Sequence, residues 1–408
     1  MTITADKVEV MSLKNYNRKF ALSLTAAIMA AGTASAYEVP LSFFGTNMPP
    51  LDFHGFASQG FLYSDNYNYL GNDTKDGSFK FTEAALNVSL NPFPRTRITA
   101  QAFTYDVGEA GKYDVVLDYA SAEYTFNDEV GIRGGRIRRP QGIYNDIQDV
   151  DVARTFVLLP QGMYDARWRD FYVSLDGGEF FGTIPLQRAG SMAYDVYAGF
   201  VNPSMDGGLA MQLHNSLPSF IHLDSITPAA MFGGQLWWNT PIDGLRFGAS
   251  GLILPSSTFV STIQTPGGPI HPDNANNVVV QQYSAEYLWR GWTFQSEFYF
   301  SHLQPAAAGM SDTHIFSWYA SAAYRFNKWF EAGSYYTEYY GDTSQSGNSL
   351  FYQKDAALSL RFDPTSWWVL KVEGHYIRGT GLLQDNSDNP VQNDNGWFML
   401  AVKTTFSF

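Results

Sequence analysis

The chain has 408 residues, of which 16% are aromatic and only 16% charged, and its 39 acidic residues exceed its 26 basic ones to give a net charge of −13. This acidity argues against nucleic acid as a partner, and the lack of cysteine excludes disulfides and thiolate metal sites. Few charges and many rings suit a membrane β-barrel, in which every second residue faces lipid, although composition alone also allows a soluble β-rich protein.

The first 36 residues have the parts of a secretory signal peptide. A short basic stretch precedes about a dozen apolar residues, and Ala34-Ser35-Ala36 forms an A-x-A cleavage pattern. The apolar run is too short to span a bilayer as a helix. We therefore predict cleavage after Ala36, with either Met1 or Met11 as the start, and a single domain over residues 37–408.

The rest of the chain repeats one pattern, in which apolar and polar side chains alternate until turn residues interrupt them. Leu370 and Val372, for example, alternate with Lys371 and Glu373. A strand between lipid and a wet interior requires this alternation. An even number of such segments, about sixteen, is found near 51–63, 79–91, 95–107, 114–127, 130–139, 170–185, 190–202, 229–240, 245–256, 277–290, 292–304, 314–326, 330–341, 350–362, 367–379 and 396–408.

The connections between these segments alternate in length. Short turns such as Arg290-Gly291 and Asn327-Lys328 contrast with long polar stretches such as 71–78 and 384–395. Short periplasmic turns and long extracellular loops are typical of an outer-membrane barrel. The predicted fold is therefore all-β, a transmembrane antiparallel up-and-down β-barrel in the Gram-negative outer membrane.

Positive charge concentrates within residues 131–170. Simple alternation would place Arg136 and Arg138 on the lipid side with Ile132, at a cost of roughly 2–4 kcal/mol each at mid-membrane. We therefore predict a β-bulge at Gly134-Gly135 that turns both arginines inward. The charged groups expected at a pore constriction are Arg133, Arg136, Arg138, Arg139, Arg154, Arg167, Arg169, Asp146, Asp149 and Asp151.

The stretch 141–166 is too apolar for a loop that extends into solvent, so we expect it to fold against the inner barrel wall. Rings of arginine at a narrowing favour anions. Asp146, Asp149 and Asp151 could pair with the arginines and cancel much of that field. A solvated extracellular loop, with charges facing surface sugars and phosphates, is the alternative.

Three motifs in this region carry a family resemblance. Gly135-Arg-Ile-Arg-Arg-Pro-Gln-Gly-Ile-Tyr-Asn145, Leu158-Leu-Pro-Gln-Gly-Met-Tyr164 and Arg169-Asp-Phe-Tyr172 resemble the mid-chain region of porins of the phosphate-selective type and their general-porin relatives. The resemblance is strongest over residues 130–185. It implies a sixteen-stranded barrel, a homotrimer and an inward constriction loop. The chain has arginines where a phosphate-specific member would suggest a lysine ladder.

Tryptophans cluster beside the short turns, where an amphipathic ring would lie at the headgroup level of the membrane. Aromatic packing in a soluble β-sandwich is the alternative. The chain also ends in Phe408, which resembles the recognition end of outer-membrane barrels, so the barrel-assembly machinery and membrane lipid are expected partners. The predicted aromatic girdle consists of Trp289, Trp292, Trp329, Trp367 and Trp368.

The sequence contains no H-E-x-x-H, no G-x-S-x-G and no phosphate-binding glycine loop, and its seven histidines have no metal-ligand spacing. Residues 385–389 lack the spacing of a calcium loop. We predict no enzyme activity, no metal and no cofactor, and passive diffusion of small hydrophilic solutes and ions through a constriction that favours anions. A channel specific for a phosphate-like anion, a barrel hydrolase and a closed structural barrel remain alternatives.

Overall fold

The computed structural model describes most of the chain after the predicted signal peptide, which lies outside the described residues. Within the described residues, helices are limited to a few short turns, and none is long and apolar enough to cross a membrane. The described residues are 37–43, 46–71, 73–108, 110–211, 221–270, 273–305, 311–383, 389 and 396–408.

Nearly all of this described part is β-structure, because each segment alternates in polarity and ends at turn residues. Its strands are β1 (Tyr37–Phe43), β2 (Thr46–Ser64), β3 (Phe81–Leu90), β4 (Thr96–Val107), β5 (Val115–Asn127), β6 (Val130–Arg138), β7 (Ser174–Pro185), β8 (Ser191–Val201), β9 (Ile221–Ile226), β10 (Ala229–Asn239), β11 (Leu245–Thr265), β12 (Gly268–Ile270), β13 (Asp273–Trp289), β14 (Trp292–Pro305), β15 (Thr313–Arg325), β16 (Phe330–Tyr340), β17 (Tyr352–Thr365), β18 (Trp368–Gly379) and β19 (Trp397–Ser407).

Sixteen of these strands form a closed antiparallel barrel, which confirms the predicted fold. Each strand pairs with its neighbour, and β19 pairs with β2 to close the ring. Closure leaves the ring without an unpaired edge. The remaining three strands are additions, because β1 pairs with the start of β2, while β9 and β12 pair with the far end of β11.

The two faces of the barrel differ as the alternation predicts. On β18, Lys371, Glu373 and His375 face inward and are buried, whereas Tyr376 on the outer face is 44% exposed. On β17 the outward Leu358 is 60% exposed. Apolar side chains therefore cover the outside, and charged ones line the lumen. This is the pattern of a barrel with lipid outside and polar contents inside.

The predicted bulge at Gly134-Gly135 is wrong. Strand β6 pairs with β5 and β7 without a shift at this point, so Gly135 lies opposite Gly177. Arg136 therefore stays on the outer face, where its guanidinium lies 3.3 Å from the carboxylate of Asp176 on β7. The counter-charge on the neighbouring strand lowers the cost of burial that the bulge was expected to avoid. The ladder shift lies instead between β4 and β5, beside Asp118.

Candidate functional site

The connection between β6 and β7, residues 139–173, folds into the lumen as predicted, and we call it the inward segment. One buried carboxylate, Glu297 on β14, binds its first part. Glu297 accepts hydrogen bonds from the backbone N–H of Ile143 at 2.9 Å and from the hydroxyl of Tyr164 at 2.5 Å. Gln235 on β10 donates to the carbonyl of Gly142 at 2.7 Å. The segment is thus fixed to the β10–β14 wall.

A second buried carboxylate, Glu373 on β18, binds the middle of the inward segment. It accepts the backbone N–H groups of Val157 and Leu158 at 2.8 and 2.9 Å. The cavity left beside these residues measures about 30 Å³, room for one or two water molecules. The segment therefore crosses the lumen from β14 to β18 and packs closely at both walls.

Next to Glu373 on the same wall, the carboxylate of Asp151 in the inward segment is surrounded by cations. Its carboxylate is 2.9 Å from Lys403 on β19 and 3.4 Å from Lys371 on β18. Within the segment, Arg154 approaches the same carboxylate at 2.9 Å. These cations outweigh the effect of burial and hold the pKa of Asp151 well below its usual range. The group is therefore a charged tie between the segment and the wall.

A second ion network ties the inward segment to β5. Arg138 and Arg169 both bind Asp118 on β5, at 2.5 and 2.6 Å, and both bind Asp149, at 2.7 and 3.2 Å. Burial disfavours the charge of Asp149, but the two guanidinium groups hold its pKa below the usual range. All four side chains are mostly buried, so their charges compensate one another and do not face open water.

The remaining arginines of the inward segment are also internal. Arg139 donates to the carbonyl of Tyr172 at 2.8 Å and lies over the ring of that residue. Arg167 is paired with Asp165 at 2.5 Å and donates to the carbonyl of Leu382 at 3.1 Å. These contacts fix the conformation of the inward segment, and neither guanidinium group lines the lumen.

Beside the inward segment, the inner wall of β6, β7 and β8 carries a row of glycines. Gly135 lies opposite Gly177, and Gly177 opposite Gly199. A Cβ at Gly177 would lie 2.1 Å from the carbonyl oxygen of Ala198, so the backbone itself excludes a side chain. Gly135 also has a φ of +120°, which favours glycine. No side chain of this row narrows the lumen, so we call the glycine row of β6–β8 the open side of the lumen.

Several accessible charges of the lumen lie next to this open side. Arg133 on β6 binds Glu123 at 3.0 Å and Glu179 at 2.9 Å. Asp146 of the inward segment is exposed and lies within electrostatic reach of Arg133 and of Asp195 on β8. Glu179 is buried, so Arg133 lies beside three accessible acidic residues at the gap between segment and wall. An excess of acidic groups attracts cations.

Asp170, near the end of the inward segment, contacts the next extracellular loop. Its carboxylate accepts the backbone N–H of Ser204 at 3.2 Å, and burial raises the pKa of Asp170 to about 6. The carboxyl group therefore changes its charge in a mildly acidic medium.

The structure separates the predicted constriction residues by position. Only Arg133 and Asp146 lie at the accessible gap and Arg136 is on the outer face. The others are buried in ties within the inward segment or between it and the wall. Glu297, Glu373 and Asp195 were missed, because a single acidic residue in an alternating strand looks like any other lumenal position. The residues in buried ties are Arg138, Arg139, Arg154, Arg167, Arg169, Asp149 and Asp151.

The predicted girdle tryptophans all lie at the end of the barrel that carries the short turns. Trp289 and Trp292 flank the β13–β14 turn, and Trp329 is 55% exposed in the β15–β16 turn. Trp367 and Trp368 lie at the β17–β18 turn. Phe408 exchanges two backbone hydrogen bonds with Gly55 at the same end, beside the closing pair of strands. Their roles at the interface and in assembly stay predictions.

Solved structures with the same fold are outer-membrane proteins. An anion-selective porin from Comamonas acidovorans superposes with a TM-score of 0.57 at 10% identity, over 88% of this chain and 99% of that one. The trimer form of OmpT from Vibrio cholerae gives 0.55 at 10% identity, over 88% and 99%. OmpF from Salmonella typhi gives 0.55 at 14% identity, over 91% and 100%. No family model and no curated protein sequence matches the chain.

The fold is therefore that of sixteen-stranded outer-membrane barrels. At identities of 10–14%, the likeness is one of fold.

Proposed function

We propose that the chain is an outer-membrane porin that lets small hydrophilic solutes and ions diffuse through its lumen. The observation that carries the proposal is the closed barrel with a charged inner face, in which the glycine row of β6–β8 beside the inward segment stays partly exposed. The path would run between Asp146 on the segment and the glycine row on the wall. The predicted signal peptide, cleaved after Ala36, would direct the chain across the inner membrane.

Planar-bilayer recording of the purified, folded barrel tests this function. Stepwise current increments, each from one inserted molecule or oligomer, are the expected result. A barrel that inserts into the bilayer without any conductance steps would contradict the proposal and favour a structural barrel or an enzyme.

The charge balance of the gap favours cations weakly. Sequence alone suggested an anion preference, because it shows the excess of arginine but not the partner of each arginine. In the structure Arg138, Arg154 and Arg169 are compensated by buried carboxylates, whereas Asp146 and Asp195 lie at the accessible gap. We therefore propose a small preference for cations over anions.

Reversal potentials in a potassium chloride gradient distinguish the two preferences. Asp195→Asn should shift the reversal potential toward anions, and Arg133→Gln should shift it toward cations. Arg136→Gln is the matched control, because it removes an arginine of the same strand from the outer face. An effect of Arg136→Gln as large as that of Arg133→Gln would refute this assignment of the path.

We also infer that the barrel assembles as a homotrimer. The porin resemblance and the trimer form of the Vibrio cholerae protein support this assembly. The outer face of β4–β7 carries a patch of small residues at which two barrels can approach closely, and it includes Ala100, Ala120, Gly134 and Gly178. Gly178→Leu should therefore shift the particle mass, measured in detergent by sedimentation, from three chains toward one. A monomeric unmodified protein would contradict the inference.

A further inference from the structure

Two histidines that are twelve positions apart in sequence meet at the extracellular end of the barrel. His302 on β14 lies directly opposite His314 on β15, and their rings stack with centroids 4.4 Å apart and planes 14° apart. Asp312 precedes β15, and its carboxylate lies 2.9 Å from Nε2 of His302. One nitrogen from each ring and one carboxylate oxygen all lie within 4.8 Å of one another. The hairpin pairing thus assembles a group that sequence spacing did not indicate.

This cluster lies on the outer face of the barrel. His302 follows the outward-facing Phe298 and Phe300, which are 44% and 43% exposed, and continues their row toward the extracellular end. Phe316 on β15 contacts Phe300 at a ring-centroid distance of 5.1 Å, and these two rings form the outward-facing pair next to the histidines. The cluster therefore lies just beyond an aromatic band, at the level expected for headgroups and water. Metal ions can reach it from the medium.

The arrangement fits a divalent cation, because two imidazole nitrogens and a carboxylate oxygen are ligands that such ions bind. Gln304 donates to the carboxylate of Asp312 at 3.4 Å, which helps to orient it. The imidazole side chain of His302 and the carboxylate of Asp312 are 33% and 44% exposed, so they have room for the shift of about 1 Å that coordination needs.

We propose that His302, His314 and Asp312 bind a divalent transition-metal ion of the Zn²⁺ type. Imidazole nitrogen and carboxylate oxygen bind Zn²⁺ at about 2.0–2.2 Å, so two ligand atoms of a tetrahedral site are about 3.4 Å apart. The three side chains supply three positions of a tetrahedron, and water takes the fourth. The site is independent of conduction, because it faces away from the lumen.

Calorimetric titration of the folded full-length barrel with zinc chloride tests the site. One Zn²⁺ per chain is expected, with binding at least tenfold weaker in His314→Ala and in Asp312→Asn. His222→Ala is the matched control, since it removes another exposed histidine, on β9. Mg²⁺, added as magnesium chloride, prefers oxygen ligands and should not compete with Zn²⁺ for the site.

Two results would overturn the site. The first is a stoichiometry and affinity that stay the same in His314→Ala and Asp312→Asn, and the second is an unmodified protein that binds no zinc. Circular dichroism, and the difference in gel mobility between heated and unheated samples, establish that each variant is folded before titration. A simple ion pair between His302 and Asp312 would give no zinc signal in any variant.

Discussion

The carboxylate of Glu373 is the clearest single point at which the inward segment can be loosened. Glu373→Gln keeps the size of the side chain but replaces one acceptor oxygen by an NH2 group that cannot accept the N–H of Val157 or Leu158. A hydrogen bond to a charged group contributes about 1.5–3 kcal/mol and one to a neutral group about 0.5–1.5 kcal/mol. Weakening two such bonds therefore costs roughly 2 kcal/mol, or about thirtyfold in the population of the detached segment.

Thiol labelling measures this detachment directly, because the natural chain contains no cysteine. Val157→Cys places a reporter at a position that is 0% exposed, and its labelling rate follows the fraction of time that the segment is detached. With Glu373→Gln the rate should rise about thirtyfold. Glu338→Gln is the control, because Glu338 accepts hydrogen bonds from Tyr336 and Tyr340 away from the segment. Equal labelling rates in the two variants would refute the anchor.

Two further predictions concern stability. Burial raises the pKa of Asp170 from 3.8 to about 6, so the folded state binds more protons than the unfolded state between these pH values. The free energy of unfolding should therefore fall as the pH rises from about 4 to 6. Asp170→Asn should flatten this part of the pH dependence in urea unfolding, and an unchanged profile would exclude Asp170 as the cause. Leu358→Arg places a charge on the outer face near mid-membrane and should cost about 2–4 kcal/mol in lipid vesicles, whereas Leu350→Arg in an exposed loop should cost little. Equal losses for the two would mean that Leu358 does not face lipid.

The barrel itself could be predicted because its signal is local. Every strand carries its own alternation, and a short turn or long loop follows within a few residues, so neither feature depends on distant parts of the chain. The inward segment was predictable for a similar reason, since its apolar residues exceed what a solvated loop can expose. The outward orientation of a side chain such as Leu358 also follows from the alternation of its neighbours in sequence.

The fate of the charges could not be predicted, because it depends on pairs that are far apart in sequence. The predicted bulge assumed that Arg136 had no partner in the outer face, whereas Asp176 lies forty positions away and directly opposite. His302 and His314 likewise meet only through the β14–β15 register. Arg169 is paired with Asp118, which lies at a register shift between β4 and β5. The alternation of polar and apolar residues in β5 does not reveal this shift.

The row of Gly135, Gly177 and Gly199 has a consequence for how the aperture can vary. A wall of bare backbone has no rotamers, so its contour is as rigid as the hydrogen-bonded sheet that forms it. Any change in the calibre of the passage must then come from the opposite side, where the inward segment rests on a few carboxylate contacts. The glycine row is therefore the rigid side of the lumen, and mutation, protonation or a bound solute can change only the position of the inward segment.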